Sequence, residues 1–284
     1  MLETATHLVE TPNGIHRVRT AGDGYPLVVI PGGPGFGATY LVWSHSCLAA
    51  IDRPFVFVDQ RGAGGSPVGT GPLTVPGYAD DMVALLDAVE IERCDVLCHS
   101  AGTAQTLHFA AEHPERVCRI VVSEPMVTSV EMTIGVIGPG TMFDRRRTAA
   151  DRQVLAEAKA SSEWMYDKSA VDRWFRAMYR GFYVDPELVD QFPNDLVGAG
   201  FVQIGLTEAE FYTTAFEYTP PKRGSVKAPV LLIFANESPY EGHEQDYIDA
   251  LPNAEVAHVD GGHLPSAEDP ERFRQLVTDF LTAI

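Results

Sequence analysis

The chain has 284 residues, 45% of them hydrophobic, and a formal net charge of −18 from 39 Asp and Glu against 21 Lys and Arg. That balance excludes nucleic acid and anionic membrane surfaces as partners, since both need clustered cations, and it disfavours strongly anionic substrates such as coenzyme A thioesters. No apolar run reaches the ~20 residues of a membrane span and no secretion signal opens the chain, while Cys47, Cys94, Cys98 and Cys118 have neither paired nor metal-ligand spacing, so a cytoplasmic protein with reduced thiols is expected.

Up to about residue 127, short apolar strands alternate with helical patterns. Segments 4–10 and 15–19 predict a hairpin around Thr11-Pro12-Asn13-Gly14. Val28-Val29-Ile30 then runs into Pro31-Gly32-Gly33-Pro34-Gly35, where glycines let the backbone approach a ligand and make the Gly33 N–H a candidate oxyanion donor. Helical spacing follows over 38–50. Phe55-Val56-Phe57-Val58 reads as a buried strand, and the glycine-rich loop after it carries Asp59 and Arg61, which can tie the loop down. A helix is expected over 78–89 and another strand over 93–97.

That strand meets a helical run at 103–113 through Cys98-His99-Ser100-Ala101-Gly102. A serine on so sharp a strand-to-helix turn has its hydroxyl pushed out above the sheet, and the N–H of Ala101 is free to join Gly33 in binding an oxyanion. The usual form is G-x-S-x-G, with Cys98 here replacing the first glycine; capping of a buried helix is the ordinary alternative for the serine. His99 either shapes the pocket or packs under the turn. A strand over 117–123 leads directly into Glu124-Pro125, and an ionisable residue ending a buried strand is costly unless it has a partner.

Between 128 and 225 the pattern becomes helical, bounded by glycines and a proline over 135–140 and by Pro220-Pro221. It carries Trp164, Tyr166, Trp174, Phe175, Tyr179, Phe182, Tyr183, Phe192 and Phe201, which together favour an apolar or aromatic ligand. Strands resume at 230–234, followed by Asn236-Glu237-Ser238, and at 255–259, followed by Asp260-Gly261-Gly262-His263 and a final amphipathic helix. His263, late in the chain on a glycine loop after a strand, is the candidate base for Ser100.

These segments, in this order, resemble the α/β-hydrolase superfamily over essentially the whole chain. The resemblance implies a mostly parallel eight-stranded sheet with helices on both faces and an inserted helical cap: core over 1–127, cap over 128–225, core again over 226–284. Pro31-Gly32-Gly33-Pro34-Gly35 and Asp59-Gln60-Arg61-Gly62 are most similar to proline iminopeptidase relatives. Two departures keep the peptidase activity from being carried over with the fold: Pro31 stands where a histidine often opens the oxyanion motif, and the elbow is not Gly-Gly-Ser-Trp-Gly. In most relatives the triad acid follows the seventh strand, where this chain has Ser238. Either Glu237, one position earlier, supplies the acid, or Glu124 does, an arrangement similar to zearalenone-type lactone hydrolases that keeps the chain order nucleophile, acid, histidine.

The expected protein is a serine hydrolase of carboxylic esters or lactones with apolar or aromatic bodies, working through an acyl-enzyme. Ser100 is its nucleophile, His263 its base, Glu124 its acid, with Gly33 and Ala101 at the oxyanion. No metal or cofactor is expected, the partner is a small apolar substrate, and a homodimer is left open. Two alternatives stand beside it. One is an iminopeptidase-like aminopeptidase whose substrate ammonium would be held by Glu131, Asp144 or Glu163; the other is a non-hydrolytic binding or receptor protein on the same scaffold.

Overall fold

The computed structural model describes residues 2–33, 35–51, 53–132, 140–161, 167–192, 204–238, 240 and 242–283. Eight strands form one sheet: β1 Ala5–Thr11, β2 Gly14–Ala21, β3 Leu27–Ile30, β4 Phe55–Val58, β5 Cys94–Ser100, β6 Val117–Pro125, β7 Val230–Ala235 and β8 Ala254–Val259. Their order across the sheet is β1-β2-β4-β3-β5-β6-β7-β8. The hairpin β1–β2 and the pair β2–β4 are antiparallel, and every pair from β4 to β8 is parallel. Parallel neighbours need long crossovers, which helices supply while covering the sheet.

Those helices are α1 Thr39–Ser44, α2 Val75–Ala88, α3 Gly102–Glu112, α4 Met142–Arg145, α5 Ala149–Ala160, α6 Lys168–Tyr179, α7 Ile204–Tyr218, α8 Glu244–Ala250, α9 Pro265–Glu268 and α10 Pro270–Thr282. The helix expected over 38–50 divides into α1 and a tighter 3-10 turn, His45–Ala50. α2 begins earlier than expected because the Thr74 hydroxyl accepts the Gly77 N–H at 3.3 Å and Pro76 sits in the first turn, where its missing N–H costs nothing. None of the helices among the described residues is long and apolar enough to cross a membrane.

Side chains alternate between two apolar layers, as a pleat requires. Leu27, Val29, Phe57, Leu97, Val121 and Ile233 pack with Leu41, Leu48 and the α10 residues Phe273 and Val277. Their neighbours Val28, Ile30, Val58, Val96, Val122 and Leu232 pack with Met82, Leu85 and Leu86 of α2 and Leu107 and Phe109 of α3. The loop after β4 is tied down as its sequence suggests. The buried Asp59 carboxylate takes the N–H of Ala38 at 2.7 Å and of Gly65 at 2.8 Å and pairs with Arg17 and Arg19, while the buried Arg61 guanidinium binds Asp81 and the carbonyls of Val68, Thr70 and Pro72.

Between β6 and β7 the described residues form helices and turns, with no strand among them. α7 rests on the core, where Phe211 and Ala215 meet Tyr78 of α2 and Ala104 of α3, and Glu210 and Thr214 accept the N–H groups of Leu73 and Val75 at 2.8 and 3.0 Å. Gly135, Gly138, Pro139, Glu163, Trp164, Tyr166 and Phe201, all singled out in the sequence, lie outside the described residues.

Candidate active site

β5 and β6 each run past their expected ends, pairing Ser100 with Pro125, so Ser100 and Glu124 lie within the ends of strands rather than after them. Both hold positive φ, 53° at Ser100 and 48° at Glu124. That left-handed conformation costs a residue with a Cβ on the order of 1–3 kcal/mol and persists only where the surroundings impose it. At Ser100 the surroundings are small residues: a Cβ on Gly32 would stand 2.7 Å from the Ser100 Cβ, and one on Gly102 2.5 Å from the Pro31 carbonyl oxygen. Cys98, at the elbow's first glycine position, is fully buried, and burial pushes its thiol up to about 12, so it stays protonated.

The turn brings Ser100 Oγ within 2.9 Å of His263 Nε2, and the other ring nitrogen, Nδ1, lies 3.3 Å from Glu124 Oε2. Glu124 is wholly buried. Its Oε1 accepts the Ala235 N–H at 2.5 Å, and its Oε2 also takes the Ser238 hydroxyl proton; Ser238 Oγ in turn accepts the Tyr240 N–H at 3.1 Å. Burial raises the Glu124 carboxyl above its ordinary range while these donors pull the other way, and burial drives His263 down, so the imidazole is neutral at pH 7.

Glu237 does not join this group. Its side chain is 59% exposed and faces Arg146 at 3.9 Å, with no bond to His263 among the described residues. Nor is Glu124 engaged by the nearby arginines: Arg116 pairs with Asp87 at 2.8 Å, and Arg119 binds the carbonyls of Leu281 and Ala283.

His99 has more to do than either sequence reading gave it. Its Nε2 lies 2.6 Å from the His263 carbonyl oxygen, which can only accept, so that nitrogen carries the proton. Nδ1 therefore accepts from Tyr40 Oη at 2.8 Å, and the same phenol accepts the Gly32 N–H at 2.7 Å. Burial lowers His99 to about 3, which keeps this single tautomer uncharged. The path joins the glycine loop, the elbow and the backbone of His263. It also occupies the Gly32 N–H, while Gly33 stays on the cavity wall beside Ser100. The adjacent residues Pro31, Tyr40 and His99 gave no pairing signal in sequence.

A narrow cavity of about 10 Å³, room for about one water, lies over Ser100, walled by Phe36, Phe175, Tyr179, Tyr183 and Phe192 together with Tyr40, His99 and the glycine loop. The rings of Phe175 and Tyr179 stack at 4.3 Å, those of Tyr179 and Phe182 at 4.8 Å, and Phe182 packs 5.0 Å from the His263 ring. Of the aromatic residues flagged in the helical insertion, four line the cavity and Phe182 backs the imidazole, while the insertion's Phe211 packs against the core.

This fold and site define a class. A family model of the alpha/beta hydrolase fold matches residues 25–270, and the chain belongs to that family. It is 22% identical to a proline iminopeptidase from Heyndrickxia coagulans over 278 residues, covering 93% of this chain and 92% of that one. It is 24% identical to 3-oxoadipate enol-lactonase 2 from Acinetobacter baylyi over 250 residues, covering 85% and 84%. In structure it is similar to a serine hydrolase from the polyaromatic hydrocarbon-degrading bacterium Cycloclasticus zankles, with a TM-score of 0.74, 19% identity and 98% of both chains covered, a likeness of fold.

Proposed function

We propose that this protein is a serine hydrolase of neutral carboxylic esters or lactones with apolar or aromatic bodies. The observation that carries the reading is the continuous hydrogen-bonded path from Ser100 Oγ through His263 to Glu124, opening onto an aromatic cavity. Ser100 Oγ attacks the carbonyl as His263 Nε2 takes its proton. Glu124, accepting from Nδ1, fixes the tautomer and stabilises the imidazolium that forms. The tetrahedral oxyanion is held by the N–H groups of Gly33, on the cavity wall, and of Ala101, at the start of α3 where first-turn N–H groups have no helical partner. His263 returns the proton to the leaving alkoxide, then activates the water that releases the acyl group. The helical insertion serves as the cap.

Among the described residues, those lining the cavity include no carboxylate to meet a substrate ammonium. Of the candidates for that task, Asp144 is engaged by the Gly140 N–H and by Arg152, Glu131 is exposed, and Glu163 lies outside the described residues. This favours esters over N-terminal prolyl amides. The test is labelling by an aryl fluorophosphonate together with turnover of para-nitrophenyl esters and prolyl para-nitroanilide. Wild type labels and prefers the esters, whereas Ser100→Ala keeps its fold, takes no label and loses roughly three or more powers of ten in kcat. Equal labelling of Ser100→Ala, or preference for the prolyl amide, overturns the reading.

A further inference from the structure

Four tyrosines are buried to more than nine-tenths: Tyr40, Tyr78, Tyr183 and Tyr247. Three of their hydroxyls are bonded, Tyr40 to His99 and Gly32, Tyr78 to the Arg61 carbonyl at 3.1 Å, and Tyr247 to the Met126 carbonyl at 2.9 Å. Tyr183, only 2% exposed, has no hydrogen bond among the described residues, and it lines the cavity over Ser100. Its Oη is not among the water-sealed polar atoms that lack a partner, so the hydroxyl reaches the space of the cavity and is available to a ligand there. Other polar side chains on the wall are bonded: both nitrogens of His99, both of His263, and the Tyr40 hydroxyl.

The position of Tyr183 is fixed relative to the reacting atoms. The preceding carbonyl, Phe182 O, accepts the His263 N–H at 2.9 Å, and the following N–H, of Val184, is held by Glu268 at 2.8 Å. Gly262 lets the two segments touch, since a Cβ there would lie 2.4 Å from Phe182 O and 3.2 Å from the Tyr183 Cα. The Tyr183 ring packs edge-on to Phe192 at 5.6 Å. A side chain whose backbone is tied on both sides to the histidine loop is held in place for a ligand.

We propose that Tyr183 Oη is a specificity-determining donor to a second neutral oxygen of the substrate, a keto, ether or hydroxyl oxygen apart from the scissile ester. The inference rests on the ester-hydrolase reading and refines its substrate class. Burial holds the phenol well above its ordinary value, so it stays an uncharged donor, and Glu268 is among the charged groups near it. With no Lys or Arg among the described residues on the cavity wall, a substrate carboxylate is disfavoured and a neutral oxygen is matched.

The experiment compares para-nitrophenyl hexanoate with its 4-oxo and 5-oxo counterparts. Their affinities are measured by calorimetry on Ser100→Ala, and their turnover on wild type. At least one oxo ester binds Ser100→Ala about tenfold more tightly than hexanoate, and Tyr183→Phe in the same background removes that advantage while hexanoate affinity stays within about threefold. In the wild-type background Tyr183→Phe keeps Tm within about 2 °C, because no hydrogen bond from the hydroxyl to the described residues is lost. Equal binding of all three esters, an advantage that survives Tyr183→Phe, or a larger fall in Tm overturns the proposal. Failure of the hydrolase reading shows separately, as absent turnover of hexanoate by wild type, and the affinity comparison does not depend on it.

Discussion

A carboxylate sealed from water beneath an imidazole must have its lone pairs met by donors, and Glu124 meets this condition through Ala235, Ser238 and His263. Glutamine at that position offers one acceptor oxygen in place of two and no charge. Glu124→Gln is expected to lose three to four powers of ten in kcat, roughly the scale of an acid-to-amide change in a triad, with the fold retained. Glu237→Gln, on the exposed side chain facing Arg146, should stay within about twofold. Steady-state kinetics on one activated ester compare the two, and equal losses would leave His263 without a dedicated acid. Both glutamates were legible as candidates in the sequence, but the choice was not. It turns on the positive φ of Glu124, which aims the carboxylate toward the loop after β7, and no local propensity signals that a glutamate will adopt it. The serine at 238 was equally ambiguous as a letter; in space it is a hydroxyl donor to the acid.

At the scale of elements, periodicity located the strands because each places alternate residues in two apolar layers. It failed at the ends of β5 and β6, where His99-Ser100 and Glu124-Pro125 break the apolar pattern yet continue the ladder. Which insertion aromatics would face Ser100 was likewise hidden, since that depends on how helices pack rather than on spacing within them. The tie between insertion and histidine loop is made by Glu268 of α9. One carboxylate accepts the N–H of Val184 at 2.8 Å, of Gly262 at 2.9 Å and of Leu264 at 3.3 Å, bracketing His263 on both sides. Glu268→Ala leaves those donors unpaired and lets the imidazole drift from Ser100. Since small misplacements are costly in catalysis, kcat is expected to fall by about ten- to a hundredfold. Tm should fall by roughly 2–8 °C, from one to two kcal/mol. Thermal melts and ester kinetics check both, and a variant with normal kcat would remove Glu268 from the positioning of His263.

Across the whole molecule, the buried histidines and the buried carboxylates set opposite demands on proton uptake. His45, His99 and His263 are wholly buried and each is driven down by desolvation, His45 and His99 to about 3. Because their folded values lie below the unfolded value near 6.5, the unfolded chain takes up protons first, so the stability they contribute is fully present above pH 6.5 and lost as pH falls. Glu124 acts in the other direction: its folded value is raised by burial, so the folded chain protonates first and gains stability as pH falls toward the ordinary carboxylate range. Burial raises Asp95 and Glu268 as well and lowers His16, His108 and His243, so six lowered histidines stand against three raised carboxylates. Each uncompensated proton is worth roughly 1.4 kcal/mol per pH unit. The expected outcome is a Tm nearly level from pH 8 to 7 that declines steeply between pH 6.5 and 5, before most surface carboxylates begin to titrate. Melts across that range measure it, with His45→Gln as the control: this variant removes one buried imidazole that bonds Ser44 and lies outside the Ser100–His263–Glu124 path, and should flatten the slope by about one proton. A Tm level down to pH 5 would mean that the interior accommodates charged histidine, and the neutral imidazole required of His263 would lose its physical basis.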